Sequence, residues 1–162
     1  MTLHEFYMNE ALIEARKAYK KNEVPIGAVI VRKGTIIGRG HNTRETDRSP
    51  LAHAEIIAIA NASKNLSGWR LTGCDIYVTL EPCLMCAGAI YQSRIVSLFY
   101  GAIDEKAGAI NSLFTVLNEP KLNHIVTIEQ GILENECKTI ISQFFKELRY
   151  KKKEQKFAEK QV

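Results

Sequence analysis

An α/β fold on a mixed central sheet is the prediction for this 162-residue chain, on three observations. A helical apolar repeat opens the chain, an apolar hairpin follows it, and strands then alternate with helices. Phe6, Ala11, Leu12, Ala15, Ala18 and Tyr19 recur at three- and four-residue spacing, so residues 5–20 read as an amphipathic helix. The run Ile26-Gly27-Ala28-Val29-Ile30-Val31 reads as a buried strand. Lys33-Gly34 turns the chain, and Thr35-Ile36-Ile37-Gly38 starts the return strand. Ser49-Pro50 punctuates the chain before a second helix near residues 53–65. Asp75 to Leu80 is the third strand, and Pro82 permits a helix from Cys83 to Ser93. Ile95 to Tyr100 is the fourth strand, and a loop with Gly101, Gly108 and Pro120 leads to a short fifth strand near residues 124–128. The last helix, from about 134 to 155, carries Leu133, Cys137, Ile140, Ile141, Phe144 and Leu148 on one face. Right-handed crossovers would bring the starts of the second and third helices to one edge of the sheet.

This length suits a single domain over residues 1–162, and a hydrophobic share of 46% is enough for one sizeable core. The opening Met1-Thr2-Leu3-His4-Glu5-Phe6 has no basic stretch leading into an apolar run, so no secretory signal is expected. No segment approaches the roughly 20 apolar residues that span a bilayer, so no membrane partner is expected and the cytoplasm is the expected location. The net charge of +4 is compatible with an anionic partner. Its distribution is more informative. Lys146, Arg149, Lys151, Lys152, Lys153, Lys156 and Lys160 stand against Glu147, Glu154 and Glu159. From charge alone this is a solvated helix end with cations placed well against the helix dipole; the functional alternative is a phosphate-contacting tail.

Two short segments carry the chemistry: His53-Ala54-Glu55 and Pro82-Cys83-Leu84-Met85-Cys86. A Cys-x-x-Cys at a helix start directs two sulfurs to one point, and the helix N-terminus favours their thiolates. His53 supplies a third ligand from another helix start. Zinc accepts such a mixed set, and three protein ligands leave a position for water. Glu55 lies near the metal without being needed as a ligand, where a carboxylate can take a proton from water and return it to a leaving amine. Cys-x-x-Cys alone would also fit a redox pair or a structural zinc. Cys74 and Cys137 sit among apolar residues and read as inert core positions.

His-x-Glu followed by Pro-Cys-x-x-Cys is the signature of zinc-dependent nucleobase deaminases, TadA-type enzymes among them. The resemblance continues through Glu23-Val24-Pro25-Ile26-Gly27-Ala28-Val29, Gly40-His41-Asn42, Ala52-His53-Ala54-Glu55 and Gly68-Trp69-Arg70-Leu71. It extends over Tyr77 to Cys83, Met85 to Ile90, Ser93-Arg94-Ile95, Asn123-His124, Gly131-Ile132-Leu133 and Phe144-Phe145. Over nearly its whole length the chain resembles the bacterial tRNA-specific adenosine deaminases of the cytidine/deoxycytidylate deaminase superfamily.

That resemblance implies a three-layer α/β/α cytidine-deaminase-like fold with a five-stranded sheet, a homodimer, and one zinc per chain on His53, Cys83 and Cys86. It implies hydrolytic deamination of adenosine to inosine at the wobble position, on a tRNA anticodon stem-loop, with Glu55 catalytic. Asn42 would hydrogen-bond the flipped base, and Asp104 would contact the nucleotide near the target. Asn123, Phe145 and Arg149 would lie on the RNA face. Each has a plainer reading: Asn42 as a polar turn residue, Asp104 as a loop charge, Phe145 as ordinary packing. Two departures from the family pattern stand out, Leu51 where Thr is common and Asn111 where Gly often precedes Ser. The rivals are a deaminase of a free base or nucleoside, of guanine or cytosine type, and a non-catalytic RNA-binding module with a structural zinc. Glu55 argues against the second rival, because a structural site has no use for it.

Overall fold

The computed structural model describes residues 1–162. Helix α1 spans Leu3–Lys20 and starts at a capping box. The Thr2 hydroxyl accepts from the Glu5 amide at 3.1 Å, and the Glu5 carboxylate accepts from the Thr2 amide at 2.8 Å. Strands β1 (Gly27–Arg32) and β2 (Thr35–His41) form the hairpin, turning at Lys33 and Gly34, both with positive φ. Helix α2 (Ala54–Leu66), strand β3 (Cys74–Leu80), helix α3 (Leu84–Gln92) and strand β4 (Ser97–Ala102) then alternate. A 3-10 turn at Val116–Asn118, strand β5 (Thr127–Gln130) and helix α4 (Glu134–Lys160) complete the chain.

The sheet order is β2-β1-β3-β4-β5. β1 is antiparallel to both β2 and β3, whereas β3, β4 and β5 are parallel, so the sheet is mixed as expected. Both faces are covered, and the two-residue strand period divides the side chains between them. Ile30, Ile76, Val78 and Leu98 point to one face, where they pack with Ala54, Ala58, Ala62 and Ile90 of α2 and α3. Val29, Val31, Tyr77 and Phe99 point to the other, with Met8 and Leu12 of α1 and Cys137 of α4. Close approach of α2 depends on glycine in β2. A Cβ at Gly38 would lie 2.5 Å from the Ala58 carbonyl oxygen, and one at Gly40 would meet α2 backbone as well. These two contacts set how near α2, and therefore its first residues, can lie to the sheet.

Several boundaries differ from the sequence reading. β5 pairs over Thr127–Gln130, not 124–128, because its register is set by Ser97 to Tyr100 of β4, while Ile125 is exposed. α4 continues to Lys160, five residues past the expected end. Its last turns are rich in Lys, Glu, Gln and Ala, which propagate a helix already anchored at its start. The 3-10 turn had no periodic signal to reveal it.

Candidate active site

His53 and Cys83 are the N-cap residues of α2 and α3, both with extended backbone and neither spending its side chain on the helix end. Freed from capping, both side chains turn to one point, and Cys86 joins them from the first turn of α3. The three ligand atoms lie within 4.8 Å of one another. His53 Nδ1 is 3.6 Å from Cys83 Sγ and 3.5 Å from Cys86 Sγ. A tetrahedral zinc, with bonds of about 2.3 Å to sulfur and about 2.0–2.1 Å to nitrogen, has N···S edges of about 3.6 Å. The donor set therefore fits zinc in kind and in spacing.

Charge at the site supports the same reading. A hydrogen bond from Cys86 lowers the Cys83 thiol well below its ordinary value and favours its thiolate. The same bond, with burial, pushes Cys86 far up. Cys83 in turn raises His53. Two sulfurs and an imidazole thus share protons that a divalent cation would displace. Glu55 is buried, at 4% exposure, and its Oε2 lies 3.3 Å from Cys86 Sγ. Burial raises its carboxyl above the usual range, as a group that must take and release a proton requires.

The remaining candidates are dispersed around the site. Asn42 is buried just beyond β2, where its Nδ2 donates to the Val24 carbonyl at 3.2 Å and its Oδ1 accepts from the Arg44 amide at 3.1 Å. Asp104 lies two residues after β4, half-buried, with Oδ1 accepting from the amides of Lys106 and Ala107. Phe145 is 39% exposed next to the buried Phe144, and Arg149 is exposed. Asn123 stands apart. Its amide donates to the Tyr91 hydroxyl near the C-terminal end of α3, and no contact ties it to the metal trio.

The sequence profile of MafB19-like deaminases matches residues 3–149. The chain is 52% identical, over 94% of its own length and 95% of the relative's, to a tRNA-specific adenosine deaminase of Bacillus subtilis (strain 168). The chain belongs to the tRNA-specific adenosine deaminase family. A solved structure from a study of A-to-I editing by tRNA:A34 deaminases at the wobble position of transfer RNA is 44% identical. It superposes with a TM-score of 0.80, covering 83% of this chain and 98% of that one. A guanine deaminase from Bacillus subtilis is more remote, at 34% identity and a TM-score of 0.61, over 80% of this chain and 85% of that one.

Two buried glutamates of this deaminase were not singled out from the sequence. Glu81, 2% exposed, accepts from the amides of Asp104, Ile110 and Asn111 at 3.0–3.2 Å and from the Ser112 hydroxyl. It thereby holds the loop that carries Asp104. Burial alone would raise its pKa, but the Ser112 hydroxyl and these amides outweigh burial and hold the carboxyl below its ordinary value. Glu23 does the same for the opposite loop, accepting from the amides of Glu45 and Thr46 at 3.0 and 2.8 Å. A lone carboxylate after the apolar run Ile76 to Leu80 was the available signal for Glu81. Asn111, one of the two departures, finds a role here. Its Nδ2 donates to the Tyr100 hydroxyl at 3.0 Å and to Gln130 at 3.2 Å, tying the same loop to β4 and β5. Leu51 is exposed, and nothing in the structure accounts for it.

Proposed function

We propose that this chain is a zinc-dependent hydrolytic deaminase that converts adenosine to inosine at the wobble position of tRNA. The observation that carries the proposal is the His53, Cys83 and Cys86 cluster with Glu55 against it, in a chain 52% identical to a tRNA-specific adenosine deaminase. Bound by His53, Cys83 and Cys86, zinc would supply a water made acidic enough to serve as nucleophile near neutral pH. Glu55 Oε2 would carry one proton of the attacking water to the purine ring nitrogen, where it stays, and the second, from the hydroxyl added to the ring carbon, to the departing amine. Water adds at the amino-bearing carbon, the carbon–nitrogen bond breaks, and ammonia leaves. The buried surroundings of Glu55 keep bulk water from competing for that proton.

The adenine amino group is hidden in a stacked loop, so the base must be flipped out and its neighbours held. In this reading Asn42 and Asp104 border the pocket from their two loops. Phe145 offers an exposed ring for stacking, Arg149 offers a cation to phosphate, and Asn123 serves the periphery. The substrate is the anticodon stem-loop, the working form is a homodimer in the cytoplasm, and residues 1–162 act as one deaminase domain. No helix is long and apolar enough to cross a membrane. The test is a paired assay of inosine formation in a tRNA bearing a wobble adenosine and ammonia release from free guanine and cytosine. Inosine in the tRNA with little turnover of the free bases is the expected result. The reverse pattern would overturn the substrate and leave the zinc chemistry standing.

A further inference from the structure

Glu81 and Pro82 are the two residues between the end of β3 and the metal ligand Cys83, and one loop hangs from both. Each carboxylate oxygen of Glu81 accepts twice. Oε1 takes the Asp104 amide at 3.2 Å and the Ser112 hydroxyl. Oε2 takes the Ile110 and Asn111 amides at 3.1 and 3.0 Å. The Pro82 carbonyl accepts from the Ala109 amide at 2.8 Å, and the Glu81 amide donates to the Ala102 carbonyl at 2.8 Å. Gly108 completes the seat. A Cβ there would lie 2.4 Å from the Glu81 carboxyl carbon and from Oε2, and 2.5 Å from the Asp104 carbonyl oxygen. The carboxylate is thus enclosed by the loop that it binds, with no room for a side chain at 108.

No cation pairs with this buried carboxylate. An ionised carboxylate offers about four acceptor sites, and here all are taken. Without a counter-ion, its burial is tolerable only while those donors stay in place. Shifting the loop by a residue, or opening it at one end, would strand the charge. The loop therefore has one arrangement relative to Cys83. An apolar contact would hold the loop without fixing its register, because hydrophobic burial has no direction. Asp104 sits at the first of these bonds. Its Oδ1 is engaged by the Lys106 and Ala107 amides, which leaves Oδ2 for a ligand.

We propose that Glu81 is a positioning residue for the substrate: it locks the pocket wall 104–112 to the ligand Cys83, so that Asp104 meets the nucleotide beside the target without any closure of its loop. The proposal rests on the tRNA reading and adds to it the carboxylate that sets Asp104 against the metal.

The experiment uses full-length, zinc-loaded protein and an anticodon stem-loop with a wobble adenosine. Steady-state inosine formation is measured for Glu81→Gln, Asp104→Ala and the double variant, well below their melting temperatures. Glu81→Gln turns one accepting oxygen into a donor and should free the wall. KM should rise about tenfold with kcat within about twofold, because a contact to a neighbouring nucleotide is made equally in ground and transition states. The double variant should be no worse than the worse single one, since both changes act on one contact. Ser112→Ala gives up one bond of the four and should move KM the same way by a smaller factor. If Glu81→Gln does not fold, the cycle of Ser112→Ala with Asp104→Ala carries the same test. Additive losses in the double variant, about a hundredfold in kcat/KM, would overturn the proposal. So would a fall in kcat or in zinc content at unaltered KM, which would make Glu81 a support of the metal ligands only. Amide hydrogen exchange over 104–112 without RNA reads the lock itself. It should be slow in the wild type and about tenfold or more faster in Glu81→Gln; fast exchange in the wild type would overturn the lock. A wild type that made no inosine, with exchange still separating the variants, would end the substrate assignment and leave the lock standing.

Discussion

Two regions of this molecule, the cluster of His53, Cys83 and Cys86 and the end of α4, are built in opposite ways. At the metal cluster, side chains from two helix starts are buried, and flanking loops are fastened by Glu23 and Glu81. From Arg149 to the end of α4, every side chain is in solvent. A reacting centre loses rate when an atom is misplaced by about an ångström, so its geometry is over-determined. A phosphate-binding surface works through charge at longer range and tolerates movement. The buried end should therefore respond to single substitutions with all-or-none losses, and the exposed end with graded, salt-dependent ones.

The largest effect expected is at the metal ligands. Cys86→Ala should remove zinc and activity together, read by elemental analysis and inosine formation. Full zinc content in that variant would count against the ligand assignment. Next is Glu55→Ala, which should keep the zinc and the fold yet lose about 10²–10⁴-fold in turnover. Near-normal turnover would remove Glu55 from the mechanism.

A smaller effect should come from the fastening of the loops. Glu81→Gln replaces a carboxylate that accepts four hydrogen bonds, and should cost about 2 kcal/mol near neutral pH. For a chain of this size that lowers Tm by about 4–8 °C. Because the folded pKa of Glu81 is depressed, its contribution is complete above the ordinary carboxylate pKa. It is lost as pH falls through the lowered value. Wild type and variant should thus converge in stability at acid pH, and thermal melts across pH would expose any failure to do so. The mildest change is Asn111→Gly. It removes the link to Tyr100 and Gln130 and should cost about 1 kcal/mol, or about 2–4 °C in Tm. Zinc content should be unaltered; a drop in bound metal would mean that this loop reaches the metal centre.

Much of this was legible in the sequence by itself. The strand order in the chain, the helical faces and the mixed sheet follow from local periodicity, which one segment expresses without help from others. The His53, Glu55, Cys83 and Cys86 set was legible because zinc chemistry restricts residue types and their spacing along a helix start. What only the tertiary structure decided are partnerships between segments far apart in the chain. Glu81 and Glu23 read as unremarkable carboxylates until the amides of distant loops are brought to them. Asn111 was an unexplained departure until Tyr100 and Gln130 lay beside it. β5 had the wrong boundaries because its register belongs to β4, not to its own residues. The cations of α4 are visible as a run, yet only an unpartnered helix reaching Lys160 makes them a stripe. Local order is written in neighbouring residues, whereas hydrogen-bond partners, strand register and an open helix face are set by how separate elements pack.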